Sequence, residues 1–254
     1  MKRIITFILF ALLLLPLEGQ IGRYPFYKVT SQEPYMAVLN DGNTMWWFKA
    51  ESEYITASND SVSVWENALG DGGDLWTGRE GPEVRPVFKG DSVTFDGTNS
   101  VLYRASTPDG TQPFTIYLVF TQLSAPLGWE DENMILFFGS PYLKQNGSSP
   151  QITVWGGSSG STIDGPDIGQ RGLVTLILDG DDGYLQVNDN TAAADATYGS
   201  NNITSLYVGC NTHTTPSAAA SNISVCEIII RNIHDSPEDI ELMKDYFNDK
   251  YNLW

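Results

Sequence analysis

Short runs of alternating apolar and polar residues, cut off every few positions by glycine or proline, fill this sequence and leave it little choice of architecture. There are 24 glycines and 13 prolines in 254 residues, spread along the whole length. DSVTFDG (91–97) alternates Val93 and Phe95 with polar neighbours. PFTIYLVFTQL (113–123) puts Phe114, Ile116, Leu118 and Phe120 on one face. NMILFFGS (133–140), QITVWGG (151–157), GLVTLILDGDDGYLQVNDN (172–190), TSLYVGC (204–210) and ISVCEIIIRNI (223–233) continue the series. A period of two places alternate side chains on opposite faces of a strand, so one face of each run is free to be buried. Many such strands with no helical pattern between them exclude a parallel α/β fold and predict an all-β protein.

The two ends read differently. Lys2 and Arg3 followed by the apolar run Ile4–Leu15 have the form of a signal peptide, shorter than the ~20 residues of a membrane span. Residues 1–20 are therefore expected to be removed on export, leaving a secreted, cell-surface or periplasmic protein with no membrane segment, the alternative being an uncleaved membrane anchor. Residues 21–43 hold Tyr24, Phe26, Tyr27 and Tyr35 with no clear period and are interrupted by Pro25 and Pro34. They read as an extended arm that either packs on its own domain or docks on a partner, since exposed aromatic surface needs a cover. Near the other end, Ser236 is a helix N-cap and Pro237 the first helical residue, with Glu238 and Asp239 at the positive end of the helix dipole. Ile240, Met243, Phe247 and Tyr251 make one apolar stripe, which predicts a helix over 237–250 lying on the sheet.

The formal net charge of −17 repels phosphate backbones and excludes nucleic acid as a partner. Two cysteines, Cys210 and Cys226, point to a disulfide in an exported chain, the alternative being two buried thiols.

Several stretches taken in order carry a family resemblance. MWWFKAES (45–52), VSVWENALGDGGDL (62–75), RPVFKGDSVTFDGTNSVL (85–102), PFTIYLVF, GLVTLILDGDDGYLQVND, LYVG, CEIIIRN and SPEDIELMKDYFNDKY together resemble the LamG-like, concanavalin A-like lectin/glucanase jelly rolls of bacterial secreted and phage-encoded proteins. The resemblance runs from about residue 44 to 254. It implies a two-sheet antiparallel jelly-roll sandwich closed by one C-terminal helix, with Trp47, Trp65, Phe95, Phe114 and Ile229 in or near the core. It also implies a functionally broad family of glucan hydrolases, carbohydrate binders and adhesion or virion modules, so the fold does not name the function.

Chemistry was sought in the residues. In the glucanase branch of that family the catalytic acids share one strand as Glu-x-Asp-x-x-Glu, and a retaining pair stands about 5–5.5 Å apart. WEDENM (129–134) runs Glu130, Asp131 and Glu132 consecutively in a loop, and PEDIELM (237–243) belongs to the helix, so neither matches. Serine or cysteine hydrolysis needs a histidine base, and only His213 and His234 exist, far apart. The expectation is therefore a protein that is not an enzyme: an exported, non-catalytic, lectin-like module binding a glycan or another surface ligand. The alternatives are an adhesion or phage virion subunit docking through its N-terminal arm, and a divergent glycoside hydrolase. Ligand contact is expected from aromatics and amides in rim loops, Trp129, Glu130, Asn133, Tyr142, Gln145 and Asn146, with Trp155 either platform or core. Calcium is the one cofactor considered, with Asp164, Asp167, Asp179, Asp181 and Asp182 as oxygen donors. The acidic tip of the 172–190 hairpin is equally explained as a solvated turn.

Overall fold

The computed structural model describes residues 33–77, 85–104, 110–125, 133–146, 150–157, 159–190, 193–211 and 220–254. The expected signal segment, residues 21–32 of the arm, and Trp129 and Glu130 lie outside them. The described chain is predominantly β, a large antiparallel sheet system with one long helix at its C-terminal end. No helix in it is long and apolar enough to cross a membrane.

A short helix α1 (Pro34–Leu39) leads into β1 (Thr44–Lys49), β2 (Ile55–Ser58), β3 (Ser61–Trp65), β4 (Leu75–Trp76), β5 (Val87–Phe88), β6 (Val93–Asp96) and β7 (Leu102–Arg104). The long β8 (Phe114–Gln122) is followed by β9 (Met134–Phe137), β10 (Tyr142–Asn146), β11 (Gln151–Trp155) and β12 (Gly160–Asp164). Then come β13 (Arg171–Leu178), β14 (Gly183–Val187), β15 (Ala193–Ala196), β16 (Leu206–Val208), β17 (Asn222–Arg231) and helix α2 (Pro237–Tyr251). One run of antiparallel neighbours is β1–β17–β8–β13–β14–β15. Another is β12–β11–β10–β9–β16–β7–β4–β3–β2. β5 and β6 join the two through β3 and β17.

Alternation sorts the side chains of β8. Phe114, Ile116, Leu118 and Phe120 enter the main core, which also takes Leu136, Leu143, Ile152, Leu206 and Val208 from the second run. Tyr117 and Val119, on the opposite face, enter a smaller cluster with Met243 and Phe247 of α2. The helix thus covers the central strands β8, β13 and β17, which are buried on both faces and read as nearly continuous apolar runs. Ser236 caps the helix by accepting from the Asp239 N–H, and Asn252 ends it in a left-handed conformation.

β17 carries an irregularity that positions everything on the helix side. Its pairing with β8 shifts register between Val225 and Glu227. Val225, Ile228 and Ile230 stay in the main core, while Cys226 and Ile229 face the helix cluster. A bulge of this kind leaves two residues opposite one. Glu227 is thereby turned to the helix side as well, within reach of three α2 side chains.

Three expectations are corrected here. Residues 34–39 are helical rather than extended, and Val38 and Leu39 are buried in the helix-side cluster. That part of the arm is clamped to its own domain: the buried Arg231 guanidinium donates to Val38 O, to Thr44 Oγ1 at 3.0 Å and to Asp41 Oδ2 at 2.7 Å. It also pairs with buried Asp235 at 2.8 Å. Cys210 and Cys226 are free buried thiols, not a disulfide, because Cys226 faces α2 and Cys210 lies in a third cluster with Val101 and Met134. Finally, Tyr142, Gln145 and Asn146 sit on strand β10 rather than in a rim loop.

Candidate active site

A cleft of about 790 Å³ opens where α1, β1 and α2 meet. Pro34, Tyr35 and Met36 of α1 form one wall; Trp47, Lys49 and Glu51 follow β1; Leu242, Asp245, Tyr246, Asp249 and Lys250 come from α2. Strand alternation explains the β1 contribution: Trp46 and Phe48 fill the main core, so Trp47 and Lys49 face the helix. On α2, Tyr246 and Lys250 are four residues apart and share a face.

Behind this wall lies Glu227, completely buried. Its Oε1 accepts from Trp47 Nε1 and from Tyr246 OH at 2.9 Å. Its Oε2 accepts from Lys250 Nζ at 2.8 Å and Tyr251 OH at 2.7 Å. Four donors on one carboxylate make it fully satisfied, as a buried charge requires. Lys250 Nζ also reaches Glu51 Oε1 at 2.9 Å and stands 3.2 Å from Tyr246 OH. The two glutamates share one ammonium group, so their nearest oxygens are no farther apart than the two bonds laid end to end.

The electrostatics follow from this arrangement. Burial raises the Glu51 carboxyl, but the Lys250 hydrogen bond and charge outweigh it and hold Glu51 below its ordinary value. Burial works against the Lys250 charge, and Glu227 with Glu51 outweighs it, so the ammonium persists above its usual range. Burial first, then the charge of Glu227, push the Tyr246 and Tyr251 phenols well up. The cleft thus holds a part-exposed carboxylate, an ammonium group and a phenol whose proton points at a buried carboxylate.

The residues expected from sequence fall elsewhere. Asn133 is buried, with its carbonyl accepting from Gln145 N–H. Gln145 is buried too and donates to Gln122 Oε1 at 2.9 Å, a framework contact rather than a ligand contact. Asn146 pairs across the ladder with Gln151. Tyr142 and Trp155 are cross-strand neighbours with nearly parallel rings, centroids 6.5 Å apart. Asp179 bonds His234 Nδ1 at 2.7 Å and Asp164 accepts from Gln151 at 3.3 Å, while Asp182 N–H closes the hairpin turn on Asp179 O. The carbonyl of Asp167 closes another turn with Gln170 N–H. Among the described residues no three His, Cys, Asp or Glu side chains gather to hold a metal ion. The cleft itself was missed. Its signals were a glutamate inside the apolar run ISVCEIIIRNI and a Tyr–Lys pair at helical spacing in DYFNDKY.

No family model matches the chain, and no curated protein matches it. Solved structures do. A Trypanosoma rangeli sialidase in complex with sialic acid superposes with a TM-score of 0.60 over 82% of this chain and 33% of its own, at 13% identity. A GH54 α-L-arabinofuranosidase soaked with an aryl arabinofuranoside gives a TM-score of 0.51 over 73% of this chain and 50% of its own, at 11% identity. A structure named HCR/D W1238A mutant gives 0.54 over 80% and 51%, at 8% identity. The chain spans one third to one half of these proteins' lengths. At such identities the likeness shows the fold alone, over part of each of those proteins.

The expectation of a lectin-like, non-catalytic protein is corrected by the solved structures. Two of the three neighbours are named as glycosidases, a sialidase and an arabinofuranosidase, and none is named as a lectin.

Proposed function

We propose that this chain is a glycoside-hydrolase-type domain that acts on glycans in the cleft between α1, β1 and α2. The observation that carries the reading is Tyr246 on the cleft wall, hydrogen-bonded to buried Glu227 and flanked by Lys250. Sialidases use a tyrosine nucleophile where most glycosidases use a carboxylate. In the proposed step the Tyr246 oxygen forms a bond to the anomeric carbon as its proton passes to Glu227. The bond from that carbon to the leaving oxygen breaks, and the leaving oxygen takes a proton from water; the hydroxide so formed then attacks the anomeric carbon, its bond to Tyr246 breaks, and the phenol oxygen recovers its proton from Glu227. Lys250 stabilises negative charge as it develops on the phenol oxygen, and Glu51 stabilises positive charge on the sugar ring. Because the phenol is held protonated in the resting site, proton transfer accompanies attack rather than preceding it.

The architecture we infer is a jelly-roll sandwich of two facing sheets, supported by the main core drawing side chains from both strand runs. An exported location fits a glycan substrate and rests on the basic and apolar residues 2–15.

The test is turnover of fluorogenic aryl glycosides, including an aryl sialoside and an aryl α-L-arabinofuranoside. At least one is expected to be cleaved, with Tyr246→Phe and Glu51→Gln each lowering kcat by about 100-fold or more while the circular dichroism spectrum is unchanged. No turnover of any substrate, or full activity in Tyr246→Phe, defeats the proposal.

A further inference from the structure

Far from the cleft, the register of the second strand run lines up six aromatic residues in one row. Trp76 of β4 faces Tyr103 of β7, and Tyr103 faces Tyr207 of β16. Tyr207 faces Phe137 of β9, which faces Tyr142 of β10, which faces Trp155 of β11. The row crosses six hydrogen-bonded strands at right angles to them. At about 4.8 Å per strand it extends for roughly 24 Å. It lies on the face opposite the main core, since the neighbours of these residues along their strands, among them Leu75, Leu102, Leu206, Val208 and Val154, point into that core. Trp76 and Trp155, at the two ends, are 54% and 37% exposed, and the four rings between them are half-buried. Neighbouring rings touch: Tyr103 and Tyr207 stack with centroids 5.5 Å apart, and Phe137 meets Tyr207 edge-on at 5.8 Å.

We propose that this row is a binding track for a linear, uncharged polysaccharide, the exposed indoles of Trp76 and Trp155 each taking the C–H face of a pyranose ring and the inner rings supporting the chain between them. Four features argue for that occupant. The row runs in register across six strands, its inner rings packed against the cluster of Val101, Met134 and Cys210, and its length suits an extended chain. Five of its six members, all but Phe137, carry a phenol hydroxyl or indole N–H beside an apolar face, which suits a ligand carrying hydroxyls on an apolar ring. The next rows on β10–β12 are polar, with Lys144, Thr153 and Thr162 in one and Asn146, Gln151 and Asp164 in the other. The net charge of −17 selects against polyanionic chains. At its β12 end the row stops on Gly160, opposite Trp155, where an added Cβ would stand 2.8 Å from the indole Cε3. The indole therefore lies against the glycine, where a residue with a Cβ would crowd it. The track stands apart from the cleft and rests on no part of the hydrolase reading.

Native affinity electrophoresis tests it, with gels containing neutral β-glucan, xylan or mannan and, separately, polygalacturonate or alginate. The protein used is Tyr246→Phe, so that hydrolysis does not enter the result. Retardation by at least one neutral polysaccharide is expected. Trp76→Ala and Trp155→Ala, at the exposed ends where folding is least touched, should each weaken it about tenfold, with melting midpoints unchanged. No retardation in any gel, retardation surviving both substitutions, or preference for the acidic polysaccharides overturns the proposal. So does sedimentation showing that these substitutions dissociate a dimer, which assigns the row to a protein interface instead.

Discussion

Replacing Glu227 by glutamine probes the most demanding contact in the molecule. The carboxylate accepts four hydrogen bonds, two on each oxygen, and is wholly buried. Glutamine keeps the shape but turns one acceptor oxygen into an NH2 donor. Whichever way the amide lies, that donor meets two others: Trp47 N–H and Tyr246 OH on one side, or Lys250 and Tyr251 OH on the other. A tyrosine hydroxyl can rotate away, but an indole N–H or an ammonium has no acceptor role to fall back on. Breaking a buried ion pair costs about 3–5 kcal/mol. Lys250 keeps Glu51 as a partner, so its charge is not orphaned and the lower end applies, about 3 kcal/mol. At about 2–4 °C per kcal/mol for a domain of this size, the melting midpoint falls by roughly 10 °C. Lys250→Met is expected to cost more, about 4 kcal/mol, because it leaves Glu227 buried without a countercharge. The double variant should then be less damaged than the two single losses together, with a coupling of at least about 1 kcal/mol. Urea unfolding followed by tryptophan fluorescence at pH 7 measures all four corners. Since Lys250 is held above its ordinary value, its contribution is complete below that value and is lost only as pH rises through the folded one. A loss below about 0.5 kcal/mol for Glu227→Gln, or an additive cycle, would show that the cluster is not the coupled charge network described.

Three further outcomes follow from the same structure. Thiol labelling should find two free cysteines in denatured, non-reduced protein and almost none in native protein, because both are buried and burial pushes the Cys226 thiol up to about 12; a single mixed or absent label after denaturation would restore a disulfide. Phe247→Ala removes a fully buried ring packed on Tyr117 and Tyr246 and should cost about 3–5 kcal/mol in urea unfolding, while leaving the β-sheet circular dichroism signal in place. Burial raises Asp96, but the N–H groups of Asn99 and Thr98 and the Ser100 hydroxyl outweigh it and hold the carboxyl below its ordinary value. The stability advantage of wild type over Asp96→Asn should be full above about pH 4 and shrink as pH falls through the folded value, and an advantage that grows on acidification would contradict the assignment.

The sequence by itself determined the class of structure and where most of it would lie. Period-two runs must bury one face, so Phe114, Ile116, Leu118 and Phe120 could be assigned to a shared core before any contact was known, and the Ser236–Pro237 start with its apolar stripe located α2 to within a residue of its end. Pairing could not be read in the same way. Alternation along one strand says nothing about which strand lies beside it, so a site built across strands was invisible: Glu51 and Glu227 are 176 positions apart, and the aromatic row draws one residue from each of six strands. The bulge at Cys226 defeated even local reading, because one extra residue reverses the faces of all that follow and sends Glu227 toward the helix. The cysteines failed for a related reason: composition and compartment argue for a bond, but only the direction of each side chain decides whether two sulfurs can meet, and these point into separate clusters. Local periodicity is a property of neighbouring residues and is written in their order. Convergence of distant side chains is a property of register, and it exists only once the strands have chosen their partners.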